Sequence, residues 1–341
     1  MRKIKVLIVD DSLIFREVLA RGISTDPNIE VVAKAVDPFD ARDKILEYAP
    51  DVMTCDIEMP KMNGIEFIKR LLPQYPLPVV VVSSVSVAVF EAMKAGAVDF
   101  VTKPNVQSVQ DVKGFIHELI QKIKIAANAK IPKFDEQNLT KVVNEGTSVK
   151  GRIIAIGAST GGTEAIFNIL KVLPSQIPGI VVTQHIPPIF SKMFADRLNE
   201  STQLRVKEAQ TGDYVEPGSA LIAPGGQHMR LKKVGDRYRV ECYEGEKVNG
   251  HCPSIDVLFD SVAKAAGDQA IGIILTGMGY DGAKGLLTMR RKGARTLGQD
   301  EKSSVVYGMP KVAFEIGAVE RQVPLDIMAQ ALVTLLRKVN G

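Results

Sequence analysis

The chain has 341 residues and a formal net charge of +4, so two domains of ordinary size are expected rather than one. Its 45% apolar content is usual for globular protein, and its apolar runs are strand-length, which excludes a membrane span. The charge is scattered in mixed sign without a Lys/Arg block, which argues against a nucleic-acid footprint, and Cys55, Cys242 and Cys252 are odd in number and lack metal-ligand spacing, as free thiols in a reducing compartment do.

Met1-Arg-Lys-Ile-Lys leads straight into an apolar run with no signal-peptide core, which predicts a cytoplasmic protein. Ile4–Val9, Val31–Val36, Val52–Thr54, Val79–Val82 and Phe100–Thr102 read as five strands separated by helical patterns, hence βαβ crossovers and a parallel sheet. Val112, Phe115, Ile116, Leu119, Ile120 and Ile123 recur at helical spacing and close this first segment, with His117 on the solvated flank of the stripe. The pattern fades between Ala126 and Lys150 into a polar linker. A second βα series follows, with Ile153–Ile156, Ile180–Thr183 and Ile271–Leu275 as central parallel strands. Arg230–Val234 and Tyr238–Tyr243 flank a Gly235-Asp236 turn as an antiparallel hairpin, and Ala329–Val339 reads as a C-terminal helix. The fold expected is α/β, in two doubly wound parallel-sheet domains.

Open parallel sheets bind ligands beyond the carboxyl ends of their strands. In the first segment those ends carry Asp10-Asp11, Asp56, Ser83-Ser84 and Thr102-Lys103-Pro104. Carboxylates gathered so closely repel unless a cation neutralises them, and hard oxygen ligands suit Mg²⁺; the lysine and serine suit a transferred phosphoryl group. Either aspartate alone would more often cap a helix, but the conjunction across three strands favours the metal and phosphoryl reading.

Residues 4–125 resemble a response-regulator receiver domain, through VLIVDDS, DIEMPKMNG, Ser83 and FVTKP. The resemblance implies a flavodoxin-like fold with Asp56 as phosphoacceptor. It implies Mg²⁺ held by Asp10, Asp11, Asp56 and the backbone carbonyl of Glu58, phosphoryl sensing by Ser83 and Lys103, and a cis Lys103–Pro104 bond. The stretch from Ser84 to Gly96 departs from the family in being about one turn shorter.

Strand Ile153–Ile156 runs into Gly157-Ala158-Ser159-Thr160-Gly161-Gly162, the G-x-S-x-G form of a strand-to-helix turn that projects a serine hydroxyl. On this motif alone a phosphate-cradling turn and a simple helix cap remain open. A nucleophilic serine needs a base and an orienting carboxylate. His185 ends one neighbouring strand and Asp281 lies in the loop after another, so three central strands bring Ser, His and Asp to one rim. His228 and His251 are rival bases or liners of the substrate cleft. The order Ser, His, Asp differs from that of α/β-hydrolases and suggests another lineage.

Residues 151–340 resemble the catalytic domain of chemotaxis protein-glutamate methylesterases, through GASTGG, QHIPP, APGG with His228, PSIDVLF, LTGMGYDG and SSVVYGMP. Thr163 and Cys252 stand where that family usually has proline and arginine. The resemblance implies a Rossmann-like three-layer catalytic domain and gives a receiver at 1–125, a linker at 126–150 and the catalytic domain at 151–341. It implies Ser159 as nucleophile, His185 as base, Asp281 as its orienter, and the Thr160 and Met278 amides as oxyanion donors, with no cofactor in the esterase site. The implied activity is hydrolysis of glutamate methyl esters on chemoreceptor cytoplasmic domains, releasing methanol, with glutamine deamidation beside it. Implied partners are methyl-accepting chemoreceptors as substrate and a chemotaxis histidine kinase as phosphodonor, with no nucleic acid and no direct membrane insertion. Phosphorylation at Asp56 is expected to relieve hindrance of the esterase by the receiver.

Overall fold

A computed structural model describes residues 2–84, 87–104, 109–131 and 151–337. The chain separates into two units, Met1–Ile131 and Pro132–Gly341. Most of the expected linker, residues 132–150, lies outside the described residues, as do Val85 and Ser86 of the shortened stretch and positions 338–339 of the expected last helix.

In the first unit the strands are β1 (Ile4–Val9), β2 (Ile29–Ala35), β3 (Val52–Cys55), β4 (Val79–Ser83) and β5 (Asp99–Thr102). Helices α1 (Leu13–Ile23), α2 (Pro38–Tyr48), α3 (Gly64–Leu71), α4 (Ala88–Lys94) and α5 (Val109–Ala126) alternate with them. The strands pair in parallel in the order β2-β1-β3-β4-β5. Helices cover both faces, which is why Val79–Val82 is an unbroken β-branched run, buried along its whole length. Helix starts follow local chemistry. Asp37 accepts from the amides of Phe39 and Asp40 at 3.0 Å ahead of Pro38, and Asn63 accepts from Glu66 at 2.8 Å.

The second unit holds β6 (Ile153–Ala158), α6 (Gly162–Val172), β7 (Gly179–Gln184), α7 (Phe190–Ser201), β8 (Arg205–Glu208), β9 (Ser219–Ile222), β10 (His228–Val234) and β11 (Arg237–Tyr243). It continues with α8 (Ile255–Ala266), β12 (Ala270–Ile274), α9 (Ala283–Arg291), β13 (Arg295–Gln299), α10 (Met309–Glu315), β14 (Arg321–Val323) and α11 (Met328–Arg337). Seven strands form one parallel sheet in the order β14-β13-β12-β6-β7-β9-β8. The hairpin β10-β11 stands apart as a two-stranded antiparallel ribbon, closed at Gly235, whose φ is +59°. It packs on α8, where the Leu231 amide donates to Ser261 Oγ at 2.8 Å. The core between sheet and helices is apolar, with Ile153, Val181, Leu258, Phe259, Val262 and Leu286 all buried.

The strand order reverses between β1 and β3 in the first sheet and between β6 and β12 in the second, where the edge pair β9-β8 is also exchanged. Beyond the carboxyl ends of strands at such a point the flanking loops part and leave a crevice. Asp10, Asp11, Asp56, Ser83 and Lys103 follow or end strands of the first sheet, and Ser159, His185 and Asp281 follow strands of the second.

The close packing of the first crevice makes a stability prediction. A Cβ on Gly64 would lie 2.1 Å from the Asp56 carbonyl oxygen, and the Gly64 amide donates to Ile57 O at 2.9 Å. Backbone cannot yield as a side chain does, so Gly64→Ala should cost about 3 kcal/mol. Removing the neighbouring cap by Asn63→Ala should cost only about 1 kcal/mol. Hydrogen exchange of β1 and β3 amides in the full chain measures both, and equal effects would show that the loop gives way.

Candidate active site and acidic site

Ser159 is the first residue beyond β6. Its amide donates to Thr276 O at 3.0 Å, tying the β6 loop to the β12 loop, and the Gly162 amide returns to Ser159 O at 2.7 Å. Gly161 has φ +76°, and a Cβ on Gly162 would sit 2.2 Å from Gln184 Oε1. The tight turn therefore requires both glycines, and Ser159 ends half-buried above the sheet. Gly277 brings the opposite loop equally close, since a Cβ there would lie 2.6 Å from that of Ser159.

His185 follows β7, its amide bonded to Ala158 O at 3.1 Å. One ring edge places Nδ1 3.1 Å from Ser159 Oγ, and the other places Nε2 2.9 Å from Asp281 Oδ2. Asp281 is only 2% exposed. Its Oδ2 also accepts from the Ile255 amide at 2.7 Å. Its Oδ1 accepts from Ser254 Oγ at 2.8 Å, Asn249 Nδ2 at 2.8 Å and the Asp256 amide at 3.3 Å. Ser254 is the N-cap of α8 and Ile255 and Asp256 its first residues, so the carboxylate sits on a helix N-terminus. Burial works to raise the Asp281 carboxyl, but the bonds from His185, Asn249 and Ile255 outweigh it and hold the group well below its ordinary value.

An ionised carboxylate only accepts, so His185 must carry its proton on Nε2 and turn an unprotonated Nδ1 toward the serine. This is the reverse of the commoner serine-protease arrangement, in which Nε2 faces the hydroxyl. The chemistry available is the same: proton removal from Ser159 Oγ by an oriented imidazole.

The other residues expected here divide. Thr160 is buried, and its carbonyl accepts from Thr276 Oγ1 at 3.0 Å; Met278, next to Gly277, is half exposed. His228 stands apart from the serine, with Nε2 toward Glu246 O at 2.8 Å and Nδ1 accepting from the Ser254 amide at 3.2 Å, a buried histidine consumed by the backbone. His251 stacks on His185, centroid to centroid 3.6 Å and 11° from parallel. Asn249, Ser254, Asp256 and Gln184 were not singled out from the sequence. Asn249 bridges Asp281 to Asp256 Oδ2 at 2.7 Å, and burial pushes the Asp256 carboxyl up despite the Gly285 amide on it. Gln184 Nε2 donates to the carbonyls of Ser159 and His185. The Asn249-Gly250 pair was the available signal, being a strong tight-turn dipeptide.

In the first unit Asp10, Asp11 and Asp56 bring carboxylate oxygens within 4.8 Å of one another, with Asp10 and Asp56 buried and Asp11 exposed. Lys103 Nζ spans Asp10 Oδ2 at 2.8 Å and Asp56 Oδ2 at 2.6 Å and lies 4.7 Å from the Phe15 ring centroid. Burial first, and then Asp10, raise the Asp56 carboxyl against the opposing pull of Lys103. Burial works to lower Lys103, and its two carboxylates more than reverse that. Glu58 is exposed in the loop beyond, with its amide 3.4 Å from Asp56 Oδ1. Ser83 is 1% exposed, and its buried hydroxyl has no hydrogen-bond partner among the described residues. Crowded oxygens and an orphaned hydroxyl fit a hard cation and an anionic oxygen group. The expected cis Lys103–Pro104 bond is not found: among the described residues the cis bond is Cys252–Pro253, and Lys103 reaches both carboxylates from a trans bond.

A family model described as CheB methylesterase matches residues 154–332, and one described as response regulator receiver domain matches residues 6–112. A protein-glutamate methylesterase/protein-glutamine glutaminase of Syntrophomonas wolfei is 59% identical over 338 residues, 99% of each chain. One of Syntrophotalea carbinolica is 48% identical over 98% of each. The crystal structure of the Thermotoga maritima CheB methylesterase catalytic domain, 37% identical, covers 54% of this chain and 98% of its own with a TM-score of 0.53. With full-length identity at this level, the chain belongs to the CheB methylesterase family and joins a response regulator receiver domain to the catalytic one.

Proposed function

We propose that the chain hydrolyses glutamate methyl esters on chemoreceptor proteins, and deamidates glutamines there, under control of phosphorylation at Asp56. The observation that carries the esterase reading is one imidazole held between Ser159 Oγ and a buried, ionised Asp281. The relatives' names, protein-glutamate methylesterase/protein-glutamine glutaminase, supply the substrate class.

In this mechanism the Ser159 O–H proton moves to His185 Nδ1 as Oγ bonds to the ester carbonyl carbon. The carbonyl electron pair shifts to oxygen, where the amides of Thr160 and Met278 would donate to it. Collapse breaks the bond to the methoxy oxygen, which takes the proton from Nδ1 and leaves as methanol. Water then attacks the acyl-serine, giving its proton to Nδ1. The second collapse returns that proton to Ser159 Oγ and frees the glutamate carboxyl. With a glutamine substrate the first leaving group is ammonia. Throughout, Asp281 stabilises the imidazolium without itself taking the proton.

The receiver spans residues 1–125, a linker 126–150, and the catalytic domain 151–341. Asp56 Oδ would bond to phosphorus as the bond to the imidazole of a chemotaxis histidine kinase breaks. Mg²⁺, held by Asp10, Asp11, Asp56 and the Glu58 carbonyl, would neutralise charge on the phosphoryl oxygens. Lys103 would pair with those oxygens and Ser83 would hydrogen-bond one of them. The protein works in the cytoplasm, in keeping with its free thiols and with the lack, among the described residues, of a helix long and apolar enough to cross a membrane.

Methanol release from methylated receptor should fall by at least about 10³-fold in Ser159→Ala; an unchanged rate would remove the serine from the chemistry. Asp281→Asn should lower kcat by about 10³- to 10⁴-fold, because the imidazole loses its fixed tautomer. The same substitution has a pH signature. A carboxyl lowered from 3.8 on folding stabilises fully above that value and loses the contribution as pH falls below it. The gap in urea stability between wild type and Asp281→Asn should therefore be wider at pH 7 than at pH 3, and a constant gap would contradict the ionised assignment.

Phosphorylation supplies a further expectation. With Mg²⁺ and a small acyl phosphate, full-chain esterase activity should rise at least about fivefold, and Asp56→Asn should remove the rise. Ser83→Ala removes a buried hydroxyl that has no partner among the described residues, so it should leave folding stability unchanged or better by up to about 1 kcal/mol while shrinking the rise. A large loss of stability in Ser83→Ala would mean that the hydroxyl is already engaged.

A further inference from the structure

The four residues Val248–His251 form a tight turn. The amides of Val248 and His251 each donate to the other's carbonyl at 3.0 Å, and the central pair, Asn249 and Gly250, have φ of +52° and +84°. Two successive positive φ values define a type I′ turn, the geometry that Asn-Gly favours. Two of its side chains go to the catalytic pair. Asn249 Nδ2 donates to Asp281 Oδ1 from one side. The His251 ring lies flat on His185 from the other, 3.6 Å away and 11° from parallel.

The hydrogen bonds to Ser159 and Asp281 hold the His185 ring by its two edges, within its own plane. They do little against tilting about the line that joins Nδ1 and Nε2 to their partners. A flat group against the ring face opposes that motion, which the edge bonds leave soft. Nδ1 must meet Ser159 Oγ, then the leaving group, then water, so a tilted ring would be misaligned at every proton transfer.

We propose that His251 is a positioning residue for the esterase reaction, acting as a flat plate that keeps the His185 imidazole in the plane of its two hydrogen bonds. The inference rests on the proposed serine mechanism and adds a fourth side chain to it. Flatness is the property that matters, so another planar ring serves and a branched aliphatic of similar bulk does not. Because His251 acts through His185 and not on the substrate, its loss lowers kcat and leaves KM nearly alone.

The test is steady-state methanol release by the full chain carrying His251→Ala, His251→Leu or His251→Phe, with Ser159→Ala as control. His251→Ala and His251→Leu should each lose about tenfold in kcat with KM within about twofold, and His251→Phe should recover most of it. Comparing Phe with Leu keeps the test decisive even where the alanine variant folds poorly, since both fill the space. Equal kcat in Phe and Leu overturns the proposal, as does a change confined to KM, which would make His251 a substrate contact. Activity retained in Ser159→Ala would instead sink the underlying mechanism, separating the two failures.

Discussion

The catalytic unit depends on keeping one carboxylate ionised where almost no water reaches it. A buried charge without partners costs several kcal/mol and would take up a proton instead. Asp281 avoids this with five donors, three of them from the start of α8. The helix supplies amides that have no partners within it and the positive end of its dipole; in return the carboxylate caps the helix from another loop. Everything downstream follows from that ionisation. The proton of His185 is confined to Nε2, the lone pair on Nδ1 faces Ser159, and the serine acquires a base. The helix start, the β12 loop and the histidine are thus one electrostatic unit, although they come from three distant parts of the chain.

Why they meet is a matter of topology. A parallel sheet directs all its strands one way, so the residues just past β6, β7 and β12 collect on one rim, and the reversal of order between β6 and β12 opens the crevice there. Close approach of the loops then limits side-chain size. Gly157 faces Ile255 and Gly282 faces the same residue, each at a distance where a Cβ could not fit, and Gly277 faces Ser159. The glycines around the serine are there so that α8, with its donors, can approach the sheet.

This is also why the site could be read from sequence as far as it could. Buried parallel strands are continuous β-branched runs, and Ile153–Ile156, Ile180–Thr183 and Ile271–Leu275 announce their own ends, where Ser159 and His185 follow directly and Asp281 a few residues on. Of the four other strands, β8, β13 and β14 are short and mixed, with Arg205, Lys207, Arg295 and Arg321 interrupting any apolar signal, and β9 is apolar but only four residues long. The shell around Asp281 was hidden for another reason. Asn249, Ser254 and the Asp256 amide lie 25 to 32 residues from it, and the contacts exist only once α8 is docked. The sequence admits His251 as a rival base or a liner of the cleft; its place against the ring of His185 depends on a turn whose direction local sequence does not encode.

The two chemical centres differ in how completely they are satisfied, and that difference matches the work proposed for each. Around Asp281 both oxygens are engaged, which suits a catalyst whose geometry must persist through several proton transfers. The Asp56 oxygens are bonded too, Oδ1 by the amides of Ile57 and Glu58 and Oδ2 by Lys103, but the groups around them are less completely matched. Two buried carboxylates share one lysine, burial and mutual repulsion raise the Asp56 carboxyl, and the buried Ser83 hydroxyl has no partner among the described residues. A group with three acceptor oxygens, attached at Asp56, would give Lys103 and Ser83 the partners that suit them. A modified state that gains contacts the resting state lacks is favoured by that difference, and this is how a local charge change biases a two-state element. The same sheet rule sets a fully bonded carboxylate at one crevice and a hydroxyl without a described partner at the other, and the residues at the strand ends decide which.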